Sequence, residues 1–128
     1  MSEIEFLELE DIIVMVRILG IGPIRDVGLL DSAVNRPKSS AFGEDAYATI
    51  SLKAAALLQS MSKNHALVDG NQRLAWLSTV VFCDLNGMAP QLTDDEAFQL
   101  VYDVARSRLD VEVIAGRLCL EEIERMKS

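Results

Sequence analysis

The sequence predicts an all-α fold: a compact bundle of about six helices around a central apolar helix, with a short flap loop or hairpin. Three observations carry that prediction. Apolar residues recur at three- and four-residue steps almost throughout the chain. No alternating βαβ pattern interrupts them. The ten residues from Leu74 to Cys83 carry no charge and are apolar on nearly all sides, which suits the centre of a bundle.

Each element follows from local signals. Leu9, Ile12, Ile13, Val16 and Leu19 form one stripe, so the first helix is expected over Leu7 to Leu19, ended by Gly20, Gly22 and Pro23. Asp26 is an N-cap candidate for a short helix to Asn35, with Leu30, Ala33 and Val34 inward. Arg36 to Glu44 contains Pro37, Ser39, Ser40 and Gly43, which break the pattern into a loop or small hairpin. A long helix follows, carrying Tyr47, Ile50, Ala54, Leu57, Leu58 and Met61 and stopping near Lys63.

After the segment Asn64 to Gly70, the apolar helix runs from Asn71 to about Leu85, closed by Asn86-Gly87; the others are expected to wrap round it. Thr93 and Glu96 form a capping-box pair opening a helix through Arg106, with Ala97, Phe98, Val101, Val104 and Ala105 on its buried face. A last helix starts after Asp110 and carries Val111, Ile114, Leu118 and Cys119.

Composition bounds the function. The 128 residues make one domain, 1–128, with a hydrophobic half large enough to fold without staples. Twelve Lys and Arg against twenty Asp and Glu give a net charge of −8, which disfavours nucleic acid as a direct partner. Cys83, Cys119 and the lone His65 are too few for a four-ligand zinc site. The acidic start Met1-Ser2-Glu3-Ile4-Glu5 is unlike a signal peptide, and no uncharged run approaches the ~20 residues of a membrane span. A reduced, cytoplasmic protein with no membrane partner is expected.

Two segments invite chemistry. Gly20-Ile21-Gly22-Pro23-Ile24-Arg25 superficially matches a dinucleotide fingerprint, but Arg25 stands at the third glycine and the preceding segment is helical, so it reads as a helix–helix turn. Asn64-His65-Ala66-Leu67-Val68-Asp69-Gly70-Asn71-Gln72-Arg73 is richer. Gly70 just before a helix lets the backbone present the unpaired N–H groups of the first turn, a ready anion site. Arg73 adds a forked cation suited to phosphate oxygens, against the helix-dipole preference unless an anion meets it. Asp69 supplies a hard oxygen ligand for Mg²⁺ on nucleotide phosphates. Asn71 suits orienting a phosphoryl group or ordering the loop, and His65 is a general-base candidate near neutral pH. Together they describe a phosphoryl- or nucleotidyl-transfer site.

The segment resembles the signature of the Fic/Doc family, H-P-F-x-D/E-G-N-G-R in Fic enzymes and H-x-F-x-D-A-N-K-R in the Doc, or death-on-curing, branch. His65, Asp69, Asn71 and Arg73 match in spacing, and Gly70 matches the Fic form. Phe6-Leu7, Ile24 to Leu30, Ala41-Phe42-Gly43-Glu44 and Leu85-Asn86-Gly87 look Doc-like in the same order. The resemblance implies a helical domain binding ATP with Mg²⁺. His65 would deprotonate a hydroxyl on a target protein, Asp69 would hold the metal, and Gly70, Asn71, Gln72 and Arg73 would face the phosphates. The flap, with Pro37, Ser39, Ser40 and Phe42, would align the target. It further implies a toxin–antitoxin module with a Phd-like antitoxin folding into a groove. The phosphate of ATP would pass to a hydroxyl of a translation factor, elongation factor Tu by resemblance. Fic-type AMP transfer and a weakened antitoxin-binding module are the alternatives.

Departures refine this. Ala66 replaces the Fic proline and Leu67 the aromatic residue, where Leu67 can still anchor the loop in the core; Trp76 stands where Fic enzymes carry a second arginine, which fits the Doc branch. Gln72 replaces Gly of Fic and Lys of Doc, withholding a cation. No Glu is followed by Gly or Asn, so the Fic inhibitory pattern is missing and inhibition would come from an antitoxin in trans.

Overall fold

The computed structural model describes residues 3–123. Six helices are joined by short connections: α1 (Leu9–Leu19), α2 (Val27–Asn35), α3 (Ile50–Lys63), α4 (Asn71–Leu85), α5 (Asp94–Arg106) and α6 (Val111–Leu118). A 3₁₀ turn at Arg36–Lys38 leads from α2 into a hairpin of β1 (Ser40–Ala41) and β2 (Glu44–Asp45). A second antiparallel pair, β3 (Met88–Pro90) with β4 (Leu120–Glu122), ties the end of α4 to the end of α6. The all-α prediction and the hairpin both hold.

The caps explain the helix starts. Asp26 accepts the Leu29 N–H at 3.1 Å, and Thr93 and Glu96 satisfy each other's backbone as a capping box. The first helix begins two residues later than the periodicity suggests, because Glu8 and Asp11 form a capping box there. Leu7 is buried all the same, outside the helix. Likewise Thr49 caps α3 and leaves Tyr47 outside it, where the Tyr47 hydroxyl accepts from Arg36 Nε at 2.9 Å.

The most deeply buried helix is α3, not α4. From Lys53 to Leu58 every residue of α3 is buried, and α2, α4, α5, α6 and the 3₁₀ turn all pack on it. Its alanines Ala54, Ala55 and Ala56 leave room for that close approach. Helix α4 buries Leu74, Ala75, Ser78, Thr79, Phe82 and Cys83, while Trp76, Leu77, Val80 and Val81 are only partly covered. Burial pushes the Cys83 thiol up to about 12, so it behaves as an apolar residue.

Two apolar assignments fail. Phe98, expected on the buried face of α5, is 67% exposed, because the helix turns Ala97, Leu100, Val101 and Val104 inward. Cys119 is exposed and lies beyond α6, where it caps the helix in the left-handed conformation.

Candidate active site

The segment between α3 and α4 is held as a shaped loop by the turn that follows α1. Gly22 N–H donates to the Asp69 carbonyl at 3.1 Å, and Val68 N–H to the Pro23 carbonyl at 3.0 Å. The N–H groups of Arg25 and Asp26 both reach the Ala66 carbonyl, at 2.7 and 3.1 Å, and Ile24 bridges Leu67. The Arg25 guanidinium donates to the His65 carbonyl. The glycine-rich turn is therefore a connection, as the sequence indicates, and also a brace for the loop. No signal within Gly20 to Arg25 reveals that second role, since the pairing joins segments about forty residues apart.

Within the loop, Ala66 and Leu67 are buried and His65, Val68 and Asp69 are exposed. Leu67 thus anchors the loop in the core, as expected. His65 has a φ of 50°, a left-handed conformation uncommon for a residue with a side chain and held here by the braces around it. Gly70, at φ 94°, is required twice over: a Cβ there would also stand 2.6 Å from Ile21 Cβ.

Gly70 is the N-cap of α4, and no side chain caps the helix. Its first-turn N–H groups are therefore free of intrahelical partners. Asn71 does not turn its amide to the cavity. Its Oδ1 accepts the Leu67 N–H at 3.0 Å and its Nδ2 donates to the Leu67 carbonyl at 2.9 Å. Of the two roles its chemistry allows, the side chain takes loop ordering, leaving only its backbone to face a phosphate.

A cavity of about 340 Å³ opens at this helix end, lined by Ser62, His65, Val68, Asp69, Gly70, Asn71, Gln72, Arg73 and Ala105. All six motif positions anticipated from sequence share it. The His65 imidazole, the Asp69 carboxylate and the Arg73 guanidinium have no hydrogen-bond or ion-pair partner among the described residues. A base, an acid oxygen and a cation therefore stand unengaged around one uncapped helix end. No cluster of three metal-binding side chains exists among the described residues. A metal here would rest on Asp69 and the ligand's own oxygens, an arrangement typical of Mg²⁺ with phosphates.

The family model described as the Fic/DOC family matches residues 1–83. The chain belongs to the Fic/Doc family. It is also 44% identical over 118 residues to the protein named Toxin Doc of Mycolicibacterium smegmatis, covering 89% of this chain and 91% of that one. For a Fic/Doc chain, the flap positions are the least tied to the cavity. Pro37 is buried in the 3₁₀ turn, Ser39 accepts the Ala46 N–H through its carbonyl, Ser40 lies in β1, and Phe42 sits at the hairpin tip. None of the four lines the cavity.

Sequence reading missed the wall residues Ser62, Val68 and Ala105. It also missed an apolar groove of about 490 Å³ beside the cavity, formed mainly by Trp76, Leu77, Val80, Phe98 and Val101. Gln72 and Arg73 line both spaces. The one usable hint is Trp76, a large apolar residue where Fic enzymes carry a second arginine.

Proposed function

We propose that this protein is the toxin of a toxin–antitoxin module, a transferase that moves phosphate from ATP to a hydroxyl of a translation factor. The observation that carries the proposal is the shared cavity in which His65, Asp69 and Arg73 stand unpaired at the open end of α4. An unpaired arginine at the positive end of a helix is unfavourable until an anion arrives. Phosphate oxygens match both the guanidinium fork and the free N–H groups.

In this reading His65 accepts the proton of the target hydroxyl, and the oxygen attacks the terminal phosphorus of ATP as its bond to the β,γ-bridging oxygen breaks, leaving a phosphate ester on the target and releasing ADP. Arg73 and the backbone of Gly70, Asn71 and Gln72 hold the phosphates and meet the charge that grows on them. Asp69 would hold Mg²⁺, which when bound would supply neutralisation of the phosphate charge. The hairpin at Pro37, Ser39, Ser40 and Phe42 receives the target, for which elongation factor Tu is the candidate by family resemblance. A translation factor as target would put the protein at work in the cytoplasm. No helix among the described residues is long and apolar enough to cross a membrane.

The groove beside the cavity suits the Phd-like antitoxin. A helical segment laying an apolar stripe on Trp76, Leu77 and Phe98 would bring its polar edge to Arg73, which both spaces share. Phe98→Asp should then release the toxin from neutralisation without reducing transfer.

ATP labelled separately at the α and γ positions decides the reaction. Label from γ on the target, lost with His65→Ala, is expected; label from α would instead establish AMP transfer. Gln72→Lys should raise phosphotransfer by about one to two orders of magnitude, since a charge-assisted bond is worth ~1.5–3 kcal/mol. If the native chain and Gln72→Lys are both inert yet both bind the antitoxin, the protein is a binding module and not an enzyme.

A further inference from the structure

Four hydroxyl side chains are buried in the helices α3 and α4: Ser60, Ser62, Ser78 and Thr79. Three are satisfied within the protein. Ser60 Oγ accepts from Arg36 Nη1 at 2.9 Å, and Ser78 and Thr79 donate to the Ala75 carbonyl at 3.1 and 2.8 Å. The last two show the ordinary solution for a helical hydroxyl, a bond back to the preceding turn. Ser62 does not adopt it. It is 1% exposed, and its Oγ has no hydrogen-bond partner among the described residues.

An unsatisfied buried hydroxyl is costly and calls for an explanation. Ser62 is also the one of the four that lines the cavity, on the wall contributed by the end of α3 and facing the same space as His65, Gly70 and Arg73. A hydroxyl offers one donor and rotates to suit its acceptor. The nearby guanidinium and first-turn N–H groups are donors only, so an acceptor-rich anion is the species that completes the set.

We propose that Ser62 is a binding residue for the phosphate chain: its Oγ–H donates to an anion oxygen seated between α3 and the first turn of α4. This rests on the anion-binding reading of the cavity and adds to it a residue outside the His65–Arg73 segment. The hydroxyl is kept at a cost to the free protein because the bound state satisfies it.

The test measures two quantities on the full chain, ATP affinity in magnesium buffer by titration calorimetry and the melting temperature without ligand. Ser62→Ala should weaken ATP binding about tenfold while the melting temperature holds or rises, since a buried unsatisfied group has gone. Ser62→Cys, nearly the same size with a weaker donor, should fall between. Arg73→Ala serves as the reference for the anion site itself. If Arg73→Ala weakens ATP but Ser62→Ala binds as the native chain does, the Ser62 proposal fails and the anion reading stands. If Ser62→Ala lowers affinity and melting temperature together, the hydroxyl is structural and the proposal is overturned. If the native chain binds no ATP, both fall.

Discussion

The loop from Asn64 to Gly70 and the hairpin from Ser39 to Ala46 look alike in sequence: each is a short break carrying a glycine, between helices. In the folded protein they are held by opposite means. The loop is pinned by backbone bonds to the turn after α1, buries Ala66 and Leu67, and spends the Asn71 amide on its own backbone. The hairpin buries nothing; every residue from Ser39 to Ala46 is exposed. Its attachment comes from two cations at its base. Buried Lys53 donates to Asp45 Oδ2 at 3.2 Å and to the Tyr47 carbonyl, while Arg36 spans Tyr47 and α3. The difference fits the roles proposed above: a segment proposed to hold reacting groups in fixed geometry is built into the core. One proposed to meet a partner is left at the surface on a polar tether.

The sharpest way to break this comparison uses one glycine from each region. Gly70→Ala meets both a φ of 94° and the Ile21 side chain, so it should cost about 2–4 kcal/mol in denaturant unfolding. Gly43→Ala, at φ 81° with open space around it, carries only the backbone strain of ~1–2 kcal/mol. Equal losses would show the hairpin to be as tightly built as the loop.

Next in size, Asn71→Ala removes both bonds to Leu67 and leaves the backbone groups of that buried residue unpaired, which should cost ~1–3 kcal/mol. Amide exchange at Leu67 should accelerate in parallel; unchanged exchange there would mean the turn after α1 suffices alone.

Lys53→Met sharpens the other side. Replacing a buried cation by an apolar residue of similar length should leave stability within ~1 kcal/mol of the native chain. Exchange at the Ala46 amide, which bonds the Ser39 carbonyl at 2.9 Å, should nevertheless rise, since the hairpin loses its tether. A large stability loss with an unaltered hairpin would reverse the assignment of Lys53 to the hairpin.

The smallest effect belongs to Phe42. It is fully exposed at the tip with a φ of 54°, so Phe42→Asn should alter stability by no more than ~0.5 kcal/mol and in the favourable direction, Asn tolerating that conformation better. A measurable loss of stability would place Phe42 in a contact within the chain.

Sequence by itself determined the helices, the caps at Asp26 and at Thr93 with Glu96, and the chemical set of the candidate site. These depend on local rules: the 3.6-residue period, side chains that cap their own helix, and a motif nine residues long whose members must be neighbours in space. Even the hairpin was legible from its glycine and serines, and the anchoring role of Leu67 from its place in the motif. Tertiary structure alone decided which helix is central. An apolar face states only that a residue needs cover, and α3, with its small alanines, admits neighbours on more sides than α4 with Trp76. It decided that Phe98 lies in an open groove, that Gly20 to Arg25 braces the motif loop, and that β3 pairs with β4. It also decided that Asn71 serves the loop and that Ser62, alone of the buried hydroxyls in α3 and α4, has no partner among the described residues at the cavity wall. All of these join residues distant in sequence, where no period or spacing carries the information and only the packed chain brings donor, acceptor and void together.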